Sequence, residues 1–400
     1  MSATFVPDQL WEQSTPGVEN VAEGNDHFGK ALASGDFDGD GFDDLTVGVS
    51  ENFGGLADPG AVNVLYGSDE GLVADDLPST RADQFFTQDS PNVEGVAEDG
   101  DFFGRSLAAG DFNGDGFDDL AIGAPGEDLG NVGDAGAVHV LYGVGAGLSP
   151  TTTPNDELWH QDVPGIGSSG EEGDWFGGAL AAGDFDADGL DDLAIGVPDE
   201  GLDDAPVDRA GIVQVLYGAS HNGGLGSAGA QLWAQGVGGV NDQSEADGLF
   251  GWALASANFG NGGQDDLAIG VYGEDVQGLA GAGAVNVIYG SAHGLTTAGI
   301  ADQFWTQASN DVGGEPGVQD RFGGALAAFD FGGSGHADLA IGAQLEDSSG
   351  QTDAGAVNVI YGSPNGLSAT GTPDDLWHQD NASVGDSAEP YDRFGGKLPL

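Results

Sequence analysis

Residues 103–143 read FGRSLAAGDFNGDGFDDLAIGAPGEDLGNVGDAGAVHVLYG, and this stretch decides the fold. Phe103-Gly104 opens it, and a small, apolar run follows at Leu107–Phe112. An acidic turn leads into the block DDLAIG, with a second strand expected at Leu120–Gly123. A glycine-rich connection then precedes Ala137–Tyr142, whose alternation places Val138, Val140 and Tyr142 on one side. The block ELWHQD, around Trp159, supplies a fourth strand at Leu158–Gln161. Short strands separated by Gly-rich turns, with no helical period, predict a meander of four antiparallel strands. Such a meander is one blade of a β-propeller.

The unit recurs. Phe-Gly stands at Phe28, Phe103, Phe176, Phe250, Phe322 and Phe394, at spacings of 75, 73, 74, 72 and 72 residues. The expected fold is therefore all-β: a β-propeller of four-stranded antiparallel blades, with five complete repeats and partial end strands. One propeller domain, 1–400, is expected, with blades at 28–102, 103–175, 176–249, 250–321 and 322–393. Residues 1–27 read as a closing outer strand and loop, and 394–400 as the start of a further blade. Because the pattern stops in mid-motif, the chain reads as a fragment of a six- or seven-bladed ring. The other reading is a five-bladed ring with surplus ends, which would expose a sheet edge. The fourth-strand motif appears as LWEQ at Leu10, QFFTQ at Gln84, LWHQ at Leu158, LWAQ at Leu232, FWTQ at Phe304 and LWHQ at Leu376. One aromatic per blade at a fixed position is expected to pack between blades rather than on a ligand.

Composition narrows the function. The 67 Asp and Glu against 7 Lys and Arg give a formal net charge of −60. No basic surface exists to neutralise phosphates, so nucleic acid is excluded as a partner. Anionic membranes repel the chain, and no apolar stretch approaches the ~18–20 residues of a membrane span. Such self-repulsion calls for screening by external salt, as in a salt-rich habitat, or for bound cations. Cysteine is absent, so neither a disulfide framework nor thiol chemistry is available. The N-terminal residues MSATFVPDQLWEQ carry no export signal, and the residues as given read as soluble.

The turn between the first and second strands carries the chemistry. In unit one it offers Asp36, Asp38, Asp40, the Phe42 carbonyl and Asp44, with Gly41 permitting the sharp turn. Unit two offers Asp111, Asn113, Asp115, Phe117 (carbonyl) and Asp119; unit three offers Asp184, Asp186, Asp188, Leu190 (carbonyl) and Asp192. Hard oxygen donors at positions 1, 3, 5, 7 and 9 suit a hard cation, so about three Ca2+ sites are expected. A metal-free turn of Asx residues is the plainer alternative, but so many acids this close repel one another strongly without a cation. Units four (Asn258, Gly260, Gly262, Asp266) and five (Asp330, Gly332, Ser334, Asp338) lack the central carboxylates and are not expected to bind calcium tightly.

Phe-Gly, DxDxDGxxDL, AIGAP and a VxVLYG strand together resemble the FG-GAP repeat of integrin α-subunit β-propellers and of many bacterial surface and secreted proteins. The resemblance runs from about Trp11 to Gly395. It implies calcium loops on a lower face and an unidentified protein or glycan ligand on the upper one. It also implies an extracellular or cell-surface location. Upper loops repeat an acidic pair at Glu127-Asp128, Glu274-Asp275 and Glu346-Asp347, to which no ligand is assigned.

A non-catalytic adhesion or recognition module is the expected function. The alternatives are a carbohydrate-binding propeller, or the propeller part of a secreted hydrolase such as a phospholipase or glycosidase. No GxSxG, HExxH or cysteine nucleophile is present. The seven histidines are scattered, with His160 and His378 at equivalent places in LWHQD, so no catalytic residue is expected.

Overall fold

A computed structural model describes residues 9–18, 26–50, 52, 55–74, 82–152, 154–202, 207–220, 223–299, 301–348, 350–370 and 374–397. Much of the two expected end pieces, 1–8, 19–25 and 398–400, lies outside the described residues.

Twenty strands form five four-stranded antiparallel sheets, and no helix occurs among the described residues. Blade one holds β1 (His27–Gly35), β2 (Asp44–Ser50), β3 (Ala61–Leu65) and β4 (Gln84–Phe86). Blade two holds β5 (Ser106–Gly110), β6 (Asp119–Ala124), β7 (Ala137–Leu141) and β8 (Glu157–Trp159). Blade three holds β9 (Ala179–Gly183), β10 (Asp192–Val197), β11 (Ile212–Ala219) and β12 (Gly224–Trp233). Blade four holds β13 (Phe250–Ala257), β14 (Asp266–Val271), β15 (Ala284–Ile288) and β16 (Gln303–Trp305). Blade five holds β17 (Phe322–Phe329), β18 (Asp338–Ala343), β19 (Ala356–Ile360) and β20 (Asp375–Trp377). Each sheet is a meander in chain order. The four strands expected in the second unit are all present, shifted at their ends by one or two residues. The LWEQ stretch at Leu10–Gln13 is the exception, running irregularly into a turn at Gln13 and forming no strand.

The chain divides into two compact units. One comprises Met1–Val163, Ser168–Gly178 and Gly218–Gly226; the other comprises Pro164–Gly167, Ala179–Tyr217 and Ser227–Leu400. In the first unit, Val62 and Val64 of β3 and the following Tyr66 pack against Leu107, Leu120 and Ile122 of blade two. In the second, Val213, Val215 and Trp233 pack on Leu254, Leu267 and Ile269, and the far side of blade four packs through Val285, Val287 and Tyr289 on Leu326, Leu339 and Ile341. Middle strands are thus covered on both faces. The β3, β7, β15 and β19 strands are buried at every position, including the polar centres Asn63, His139, Asn286 and Asn358. Alternation in these strands separates two neighbours, not core from water.

The Phe-Gly dipeptide is a blade junction. The Phe103 N–H donates to the Pro59 carbonyl of the preceding blade at 2.9 Å, and Phe250, Phe322 and Phe394 repeat the bond to Ala210, Ala282 and Ala354. Its glycine lies at φ +86° (Gly104), where a side chain is strained and where a β-carbon would stand 2.6 Å from the Ala61 carbonyl. Phe394 reaches blade five in the same way, through a parallel bridge to Gly355.

Trp159 and Trp233 are buried and Trp305 and Trp377 half-buried, in keeping with packing rather than ligand stacking.

Candidate metal centres

The β1–β2, β5–β6 and β9–β10 turns hold the expected donors. Strand pairing delivers position 1 and position 9 to opposite sides of each turn, because Gly35 pairs with Asp44, Gly110 with Asp119 and Gly183 with Asp192. The turn then coils on itself. Gly39 (φ +71°) and Gly41 (φ +91°) bend the first, Gly114 and Gly116 the second, and Ala187 (φ +60°) and Gly189 (φ +88°) the third.

Carboxylate oxygens of Asp36, Asp38 and Asp40 lie within 4.8 Å of one another, and so do those of Asp184, Asp186 and Asp188. Two oxygens bound to one calcium at about 2.4 Å are at most about 4.8 Å apart. The donor set therefore fits one such ion. The second turn has the same coil with a buried Asn113 in the third position: Asp111 Oδ1 and Asn113 Oδ1 both accept from Asp115 N–H, at 3.1 and 2.8 Å. In the first turn Asp36 accepts from the N–H groups of Asp40 and Gly41 at 3.1 and 3.0 Å. Asp184 Oδ1 in the third is buried with no hydrogen-bond partner. Backbone N–H groups thus gather the acidic side chains of these turns.

The ninth residue does more than the sequence suggests. Asp44 accepts from Phe37 N–H at 3.0 Å and from Gly67 N–H at 2.8 Å, tying the metal turn to the end of β3. Asp119 does the same with Phe112 and Gly143, at 3.0 and 2.9 Å. Burial drives the Asp44 carboxyl up to about 7 and the Asp119 carboxyl up to about 9, and the neighbouring acids push in the same direction. The eroded turns keep this tie. Asp266 accepts from Phe259 and Gly290, and Asp338 from Gly332 and Gly362. Its presence in units one, two, four and five, the eroded turns included, is the signal that this aspartate has a structural duty independent of any ion.

Position 8 has a separate duty that the doublet Asp-Asp hides. Asp118 Oδ2 accepts from the Asp36 N–H of the preceding blade at 2.8 Å, while Asp118 N–H donates to the Asp36 carbonyl at 3.1 Å. Asp265 and Asp184 repeat the exchange at 3.3 and 3.0 Å. One blade thereby braces the metal turn of the one before it.

At the opposite end of the blades, the upper acidic pairs prove to be joints. Gln235 Nε2 donates to Glu274 Oε2 at 2.8 Å and Gln307 Nε2 to Glu346 Oε2 at 2.7 Å, each from the preceding blade; Gln88 and Glu127 form the same bond. The aspartate of each pair accepts an N–H of its own loop: Asp128 from Asp134, Asp275 from Gly281, Asp347 from Asp353. Burial, followed by acidic neighbours, raises the Glu274 and Glu346 carboxyls to about 8.

The model of the FG-GAP repeat matches residues 28–65, 103–141 and 176–216, the three units whose turns keep acidic or amide side chains at positions 1, 3, 5 and 9. Integrin alpha-5 of Xenopus laevis is 31% identical over 254 residues, 62% of this chain and 20% of that protein. Phosphatidylinositol-glycan-specific phospholipase D of Rattus norvegicus is 36% identical over 169 residues, 42% of this chain and 18% of that protein. The chain thus spans about a fifth of these relatives. Among solved structures, rhamnogalacturonan lyase YesW superposes with a TM-score of 0.43 at 11% identity, over 88% of this chain and 55% of that one.

Proposed function

From three FG-GAP repeats on propeller blades, we propose that the chain is a calcium-stiffened, non-catalytic recognition module of the cell exterior. Asp36, Asp38, Asp40 and Asp44 would hold one ion, with the Phe42 carbonyl; the matching residues of units two and three would hold two more. The observation that carries the reading is the convergence of three carboxylates within 4.8 Å of one another. Bound calcium would neutralise that cluster and lock a turn already braced by the next blade. Its role is support, and a protein or glycan ligand falls to the loops at the other end of the blades. Calorimetry tests this. A stoichiometry near three, with a melting temperature that rises with calcium at both low and high sodium chloride, is expected. A stoichiometry near five or near zero overturns it.

A second reading has support of its own. The similarity to the phospholipase D proteins favours a module carried beside a hydrolase. In that arrangement the blades still recognise rather than cleave. Fusing the chain to an inert carrier and measuring surface binding without hydrolysis distinguishes it from an enzyme.

A further inference from the structure

Seven Lys and Arg stand in a chain of −60, and five of them (Lys30, Arg105, Arg321, Arg393 and Lys397) lie within three residues of a Phe-Gly dipeptide. Two of the five meet in one cleft of the first unit. Lys30, Val49, Ser50, Phe102, Phe103, Gly104 and Arg105 line it, as a shallow depression open to solvent. None of these seven residues is an acid.

Arg105 is the anomaly. Its guanidinium is half-buried and stands over the Trp175 ring, 5.6 Å from the centroid, and among the described residues no carboxylate pairs with it. Burial alone lowers its proton affinity. A desolvated cation without a counter-charge is costly, and such a group is kept where an anion can reach it. The planar fork of arginine matches the two oxygens of a carboxylate. Phe102 lies beside Trp175, ring centroids 6.2 Å apart, so the charged spot has an aromatic wall. Ser50 adds a hydroxyl at the rim, held by Asp58 at 3.0 Å. Lys30 lies in β1 six residues before Asp36, and Arg105 six residues before Asp111, so the cleft sits at the end of the blades remote from the metal turns.

We propose that this cleft binds the carboxylate of an acidic sugar, a uronate, with Arg105 as its counter-charge and Phe102 as the wall for the apolar face of the ring. A sugar acid combines a carboxylate, hydroxyls and a C–H face, which the guanidinium, the hydroxyl and the aromatic wall of the cleft complement in turn. The inference deepens the recognition reading and rests on it.

Digalacturonate is the probe, titrated into the calcium-loaded whole chain, with neutral digalactose and N-acetylaspartate amide as comparisons. Saturable one-to-one binding of digalacturonate is expected, at least tenfold tighter than either comparison. Arg105→Met should weaken it at least tenfold and Arg105→Lys by less. Should Arg105→Met lose its melting transition, Phe102→Leu carries the same test. Equal binding of digalactose, stronger binding of the aspartate amide, or unchanged binding in the variant tested overturns the proposal. Failure of digalacturonate to bind a protein that still melts higher with calcium overturns the cleft and leaves the calcium reading standing.

Discussion

Gly48 of β2 faces the carbonyl of Gly104 in the next blade so closely that a β-carbon at residue 48 would stand 2.1 Å from that oxygen. The same contact joins Gly123 to Gly177, Gly196 to Gly251, Gly270 to Gly323 and Gly342 to Gly395, at 2.1–2.3 Å. The glycine of AIG and the glycine of Phe-Gly are therefore two halves of one backbone contact. The repeat motif records that contact because neither half tolerates a side chain.

Gly270→Ala should accordingly destabilise the second unit by about 1–3 kcal/mol or more, since backbone rather than a flexible side chain stands in the way. Gly263→Ala is the control, because nothing lies within 4 Å of its β-carbon position and its φ is not positive. Thermal unfolding monitored by circular dichroism decides. Equal melting temperatures for the two variants would show that the blades slide apart freely.

The two eroded turns are not equivalent. Turn five keeps the coil of an intact one, because Asp330 accepts from Ser334 and Gly335 N–H at 2.8 and 2.9 Å, and Gly333 and Gly335 keep positive φ. A β-carbon at Gly332 would meet Tyr361 at 3.3 Å, a contact that small shifts relieve. Turn four has lost the coil. Asn258 bonds Gly260 instead, and a β-carbon at Gly260 would stand 1.8 Å from the Ser363 carbonyl. Gly332→Asp with Ser334→Asp should thus add one calcium per chain by calorimetry. Gly260→Asp with Gly262→Asp should add none and should lower the melting temperature.

Glu274 gives a pH dependence with a definite sign. Its folded-state pKa, about 8, lies above the ordinary glutamate value, so the folded chain binds a proton that the unfolded chain has released. The stabilising contribution is whole below the unfolded pKa and is lost as pH rises towards 8. Glu274→Gln keeps an acceptor for Gln235 and removes the titration. Its melting temperature should exceed that of the parent at pH 8 and match it near pH 5. A parallel offset at both values would assign the effect to packing.

The five repeats, the strand order and the acidic turns were legible in the sequence because each rests on local chemistry: glycine at turns, alternating carboxylates, a fixed repeat. What escaped it was set by neighbours. The polar centres of the middle strands, such as Asn286, look solvent-facing by alternation but are enclosed by adjacent blades; its Nδ2 donates to Asp302 at 3.1 Å. His139 is the extreme case, fully buried, its ring centroid 5.2 Å from that of Phe103 and its pKa driven down to about 4 by burial. The acidic pairs read as loop charge, although Glu274 and Glu346 are joints to a glutamine more than thirty residues earlier in the chain. A carboxylate and an amide so far apart in sequence leave no spacing rule to detect.

The tyrosine of the LYG segment makes the last test. Tyr289 is fully buried; its hydroxyl donates to Gln303 Oε1 at 2.5 Å and accepts from Leu367 N–H of the next blade at 3.3 Å. Gln303 Nε2 closes the loop on the Leu367 carbonyl at 2.9 Å, and Gly366 leaves the space that the hydroxyl fills. Tyr361 is the same residue in blade five, but its hydroxyl donates only to the exposed Asp375 at 2.7 Å. Removing a hydroxyl that satisfies a buried N–H costs about 1–3 kcal/mol, whereas removing an exposed one costs little. Tyr289→Phe should therefore lower the stability measured by denaturant by about that amount, and Tyr361→Phe should leave it within about 0.5 kcal/mol of the parent. Equal losses would mean that ring packing, and not the bond across the blades, is what the tyrosine supplies.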